Sequence, residues 1–200
     1  MRFDKVILRA ALSTLAAIAA LLAVMILALC FIFPSTMMHI TYDMGLDDAS
    51  IRYARRAYAY TSDVSFIAFA TEVAIGLGDN VQIETCGEEL IEDDHFTAHC
   101  EKKNALIASE GGYEQYVFGQ VCVAKYRQGE KTEAIDKAFA LVGNSFPQNN
   151  AVAAVLLTAL SQEDEAAVTT VKEKMNEMNA STFSASDKEY YDALLALANG

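Results

Sequence analysis

The chain has 200 residues, 27 of them acidic and 15 basic, giving a formal net charge of −12 with 53% hydrophobic side chains. That balance excludes a binder that tracks nucleic-acid phosphates, since such a surface needs clustered Lys and Arg. Four cysteines are too few for a disulfide framework in a chain of this size, so any domain must be held by packing.

Residues 1–9 form a short N-terminal segment carrying Arg2, Lys5 and Arg9 against the single acid Asp4. Ala10 to Phe33 follow, 24 residues without a charge, whose hydroxyls, Ser13 and Thr14, lie near the start. At helical rise they reach roughly 36 Å, enough to cross a hydrocarbon core of about 30 Å. A transmembrane helix is expected, because lipid offers no partner to an unpaired backbone group. A cleaved signal peptide would have a shorter apolar run and a small-x-small site, so an uncleaved anchor is the better reading. Leu27-Ala28-Leu29-Cys30 is similar to a lipoprotein cleavage box, but Leu29 stands where a small residue is required. Basic residues near a span are retained on the cytoplasmic side, and the next one after Phe33 is Arg52. A single-pass cell-membrane protein is therefore expected, with its N-terminus cytoplasmic and its C-terminal domain extracytoplasmic.

Residues 34–200 carry 12 basic against 26 acidic side chains, a formal charge of −14. Pro34 ends the span, and residues 34–45 read as a juxtamembrane linker. From residue 46 to 200 everything reads as helix. Asp47 or Asp48 is placed to cap a first helix reaching about Tyr60. Phe66, Phe69, Ala70, Val73, Ala74 and Leu77 recur at steps of three and four and mark the face of a second. Gly76-Leu77-Gly78-Asp79-Asn80 lacks the strand and third glycine of a phosphate loop, so Gly78 is read as a stop and Asp79 or Asn80 as the next cap. That helix runs to about Ile91, and Asp93 or Asp94 caps another to about Ser109.

Tyr113 to Tyr126 and Thr132 to Val142 form an antiparallel pair around the turn Gln128-Gly129-Glu130. After a loop from Asn144 to Asn150, helix faces are marked by Val152, Val155, Leu156, Ala159 and Leu160, and then by Val168, Val171, Met175 and Met178. A loop from Asn179 to Ala185 leads to a last helix with Tyr190, Leu194 and Leu197. The fold class is all-α.

Two helix pairs begin near Tyr113 and Gln148, about 35 residues apart. Tyr126-Arg127-Gln128-Gly129-Glu130 followed by Glu133-Ala134-Ile135 resembles the inter-helix turn of the tetratricopeptide family, and Phe118 and Val121 fall at its large first-helix positions. The chain departs from that pattern at Cys122, Lys125 and Ala138, where a glycine, a tyrosine and a large aromatic are typical. The resemblance implies an antiparallel helical-hairpin repeat, stacked into a solenoid whose concave face binds peptides or partner proteins. It places Val64–Leu77, Tyr113–Tyr126 and Asn150–Leu160 along that face, with Tyr113, Glu114, Tyr116 and Gln120 as partner-binding residues. The other reading of Tyr116 and its neighbours is packing against an adjacent helix.

His95, His99 and Cys100 are the one cluster of metal-capable ligands, the two histidines four apart on a helix. They support an alternative reading as a metal-binding or enzymatic domain, although Phe96 stands where a zinc protease needs Glu. Arg52, Arg55 and Arg56, interleaved with Tyr53, Tyr58 and Tyr60, suit either lipid phosphates beyond the span or a solvated face neutralised by Asp48. Cys86 and Cys100 lie seven residues either side of Asp93, so a hairpin turn there brings them level, as packed thiols or as a disulfide. No catalysis and no cofactor are expected, since the chain has no nucleophile elbow, phosphate loop or dinucleotide fingerprint. The expected function is a membrane-anchored protein-interaction module or scaffold.

Overall fold

A computed structural model describes residues 2–104, 112–142 and 164–199, together with 158, 161 and 162. Among the described residues there are ten α-helices, one short 3-10 turn and no strand. The expected segments 105–109, 144–150 and, apart from Thr158, 150–160 lie outside them. The chain divides into two compact units, Met1–Phe66 and Ile67–Gly200.

The first unit holds α1 (Arg2–Ile32), α2 (Pro34–Asp43) and α3 (Asp47–Thr61). Within α1, Leu8–Ile32 is long and apolar enough to cross a membrane. Most of its side chains are bare, with Leu21 71% and Val24 66% exposed. Residues 34–45 are not a linker. Pro34 opens α2 instead, because the first helical position needs no N–H, while Phe33 (φ −124°, ψ 61°) breaks the line from α1. Met38 and Thr41 are buried in the packing of α2 on α3, and the Thr41 hydroxyl donates to the Met37 carbonyl at 2.7 Å. Asp47 and Asp48 sit inside the first turn of α3 rather than at its cap, where their charge still meets the positive end of the helix dipole. Ser50, Ile51, Ala54 and Ala57 form the buried stripe of α3.

The second unit takes in most of α4 (Val64–Leu77), then α5 (Asn80–Ile91), α6 (Phe96–Asn104), α7 (Gly112–Arg127), α8 (Lys131–Val142), α9 (Glu165–Glu177) and α10 (Ala185–Asn199). The face of α4 is turned by one position from the expected one. Ile67, Ala70, Thr71 and Ala74 are buried, whereas Phe66 and Phe69 are half-buried and Leu77 is exposed. Small residues let a neighbouring backbone come close, and Gly87 of α5 lies there, where a Cβ would be 3.8 Å from the Thr71 methyl. Gly78 stops α4 at φ +69°, and the Asp79 carboxylate caps α5 by accepting from the N–H groups of Val81 and Gln82.

α7 is the central helix, packed on α5, α6 and α8. Tyr113, Val117, Val121 and Ala124 are buried on one side of it, and Gln115, Gly119, Cys122 and Tyr126 on another. α9 packs on α8, and α10 on α9. Ala134, Ile135, Ala138, Phe139, Val171, Met175, Tyr191 and Leu194 fill the core between them. Ion pairs tie the two ends of the α8–α9 contact, Lys131 with Asp164 and Lys174 with Asp136.

Candidate functional site

The polar chemistry of the second unit gathers around α7 in two places. At its N-terminal end the Glu72 carboxylate of α4 accepts from Lys103 Nζ of α6 at 2.7 Å and from the Tyr113 hydroxyl at 2.8 Å. The His99 ring stands 5.7 Å from that of Tyr113, and the Tyr116 ring 6.5 Å from it. Burial first, and the Glu72 charge after it, push the Tyr113 phenol well above its ordinary range.

This corrects the expected placement of Tyr113. The ring is 1% exposed and belongs to the core, because its hydroxyl finds a carboxylate inside the fold rather than on a partner. Glu114 is exposed, while Tyr116 and Gln120 are half-buried. Three of the four expected groove residues therefore reach the surface. Replacing Tyr113 by Phe should remove one charged hydrogen bond and lower stability by about 1–2 kcal/mol, read by thermal unfolding of the full chain. An unchanged melting temperature would show that the hydroxyl contributes nothing.

The histidines and Cys100 are not brought together. His95 precedes α6 with 72% of its side chain exposed and Nδ1 3.3 Å from the Asp93 carboxylate. Cys100 is 3% exposed, and burial first, then the Glu114 charge, push its thiol up to about 11. Among the described residues no three His, Cys, Asp or Glu side chains converge as a metal site. Cys86 and Cys100 are both buried, and neither takes part in a disulfide. Burial also raises the Cys122 thiol to about 11.

The second place is centred on Lys125, whose side chain is only 6% exposed. Its ammonium lies 2.7 Å from Glu84 and 3.3 Å from Glu88 on α5, and 3.3 Å from Glu130 and 3.2 Å from Glu133 at the start of α8. Lys137 closes on Glu88 at 2.7 Å, and the Gln128 amide donates to Glu84 and, at 3.2 Å, to the Asn80 carbonyl. Burial alone would lower the lysine, but the four carboxylates outweigh it and hold the ammonium well above its ordinary value. Such a group is permanently cationic and saturated. It cannot serve as nucleophile or base, and it staples α5, α7 and α8. The signal for it in the sequence was the departure at Lys125, a charge inside the apolar run from Val121 to Tyr126.

No family model matches this chain, and neither does any curated protein or solved structure.

Proposed function

We propose that the chain is a single-pass membrane protein, N-terminus cytoplasmic and body extracytoplasmic, whose helical domain is a tetratricopeptide-like interaction module or scaffold without catalysis. The observation that carries this reading is the order of packing. α7 rests on α5, α6 and α8, α8 on α9, and α9 on α10, so that the described helices from α5 to α10 cover one another in a run of neighbours. Short helices that cannot bury a face alone gain a continuous core by stacking in this way. The exposed apolar surface of α1 supports the anchor, and Glu114, Tyr116 and Gln120 supply the partner-facing side of α7.

Topology is testable with an amine reagent that cannot cross membranes. Thiol reagents suit this body poorly, because its cysteines are buried and two of them titrate near 11. On intact cells the exposed Lys102 and Lys188 should be labelled. Labelling confined to lysed cells would reverse the orientation. For the interaction surface, a photo-crosslinking residue at position 114 should capture a protein in native membranes, while the same residue at position 188 on α10 should not. Equal capture at both would remove α7 as the binding face.

A further inference from the structure

In the first unit α3 folds back on the end of α1. The Tyr53 hydroxyl donates to Cys30 Sγ at 3.1 Å, and the Arg56 guanidinium lies 4.5 Å over the Phe31 ring, one residue before α1 ends. Among the described residues, Arg56 is held there by rings and a hydroxyl: its Nε and one Nη donate to the Tyr60 hydroxyl at 3.4 and 3.2 Å. Arg52, Arg56 and Tyr60 are spaced by fours and so share one side of α3. Arg52 is exposed, and Tyr60 is 61% exposed. The acids of this helix, Asp47 and Asp48, sit in its first turn, Asp48 one turn before Arg52 and two before Arg56. Asp63, beyond its end, accepts from the Ser65 N–H.

We infer that Arg52 and Arg56, with Tyr60, form a docking surface for the phosphodiester headgroups of the bilayer that α1 crosses. This rests on the reading of α1 as a span. Given that span, the contact with Phe31 fixes Arg56 where hydrocarbon gives way to headgroups. A guanidinium is too costly to bury deeper, and its planar fork matches two phosphate oxygens. A tyrosine at the same level suits the interface, with its ring toward lipid and its hydroxyl toward water. Because the two arginines are cationic, headgroups with net negative charge are preferred over zwitterionic ones.

The test uses the full chain in nanodiscs of phosphatidylcholine alone, and in nanodiscs with about one-third phosphatidylglycerol, read by amide hydrogen exchange. In the anionic discs α3 should exchange more slowly, on the order of five-fold for each arginine engaged. Arg52→Gln, at an exposed position, should lose part of that slowing with the fold intact, and Arg56→Gln a further part. Equal exchange of α3 in both lipids, or slowing that survives Arg52→Gln and Arg56→Gln together, overturns the inference. If α1 stays protected in that case, the span stands without it. Rapid exchange through α1 would overturn the span, and this docking surface with it.

Discussion

Replacing Lys125 by Met lowers the stability of the helical domain by about 3 kcal/mol, the effect of removing one partner from a buried charge cluster. Methionine keeps the apolar stem, so the loss reports the charge. Glu84 and Glu88, 18% and 34% exposed, carry most of it, whereas Glu130 and Glu133, 47% and 64% exposed, are screened by water. Lys137 and the Gln128 amide remain to offset part of the repulsion, which keeps the figure at the lower end. For a chain of this length the melting temperature should fall by about 10 °C. The pH dependence separates charge from packing. Glu88 is held below its ordinary 4.5: burial opposes this, but Lys137 and then Lys125 outweigh it. A depressed carboxylate stabilises above its unfolded value and loses that contribution as pH falls through its folded one. Lys125, raised above its ordinary 10.5, contributes at every pH below that and loses it only on the alkaline side. The native chain therefore weakens below about pH 4.5, while in the Met variant protonation relieves carboxylate repulsion. The difference in melting temperature should narrow between pH 7 and about pH 4. A difference that stays constant would assign the loss to packing.

What the sequence made legible was local. The long apolar stretch of α1 was visible as a run without charge, and the break at Gly78 and Asp79 followed from one residue's backbone freedom and one side chain's reach. Val171 and Met175 lay on one face by spacing alone, and both are buried. The failures share a different character. Pro34 does close α1, but a proline also opens a helix, and only the burial of Met38 and Thr41 in the contact with α3 shows that helix rather than linker follows it. Tyr113 looked suited to a partner, but the carboxylate that takes its hydroxyl comes from Glu72, 41 residues earlier. Lys125 looked like a flaw in a repeat pattern for the same reason, since Glu84 also lies 41 positions away. Spacing within a helix shows which residues share a face. It does not show which distant segment supplies the opposite charge.

Gly87 is the position where a single added methyl group should disturb the most packing. A Cβ there would meet the Val121 Cγ2 at 2.3 Å, well inside van der Waals contact. Val121 is fully buried on the central helix, and a β-branched side chain in a helix has one favoured rotamer, so it cannot swing aside. Gly87→Ala gains about 1 kcal/mol in helix propensity. Against that, overpacking a tight contact costs about 1–3 kcal/mol and forces α5 away from α7. Because the same separation stretches Lys125 from Glu84 and Glu88, the upper end of that range applies, and a net loss of about 1–2 kcal/mol is expected. Gly87→Leu, with three further carbons to place, should exceed 3 kcal/mol or prevent folding, on the order of the largest packing effects. The decisive measurement is a cycle with Val121→Ala, which removes the opposing methyl. Alone, that variant should lose about 2 kcal/mol from the cavity it leaves. In the Gly87→Ala background the new methyl fills part of that space, so the double variant should be more stable than the sum of the singles by about 1 kcal/mol. Strict additivity in denaturant unfolding would mean that α5 and α7 do not meet at this glycine, and the close approach that lets Lys125 join three helices would have to be given up.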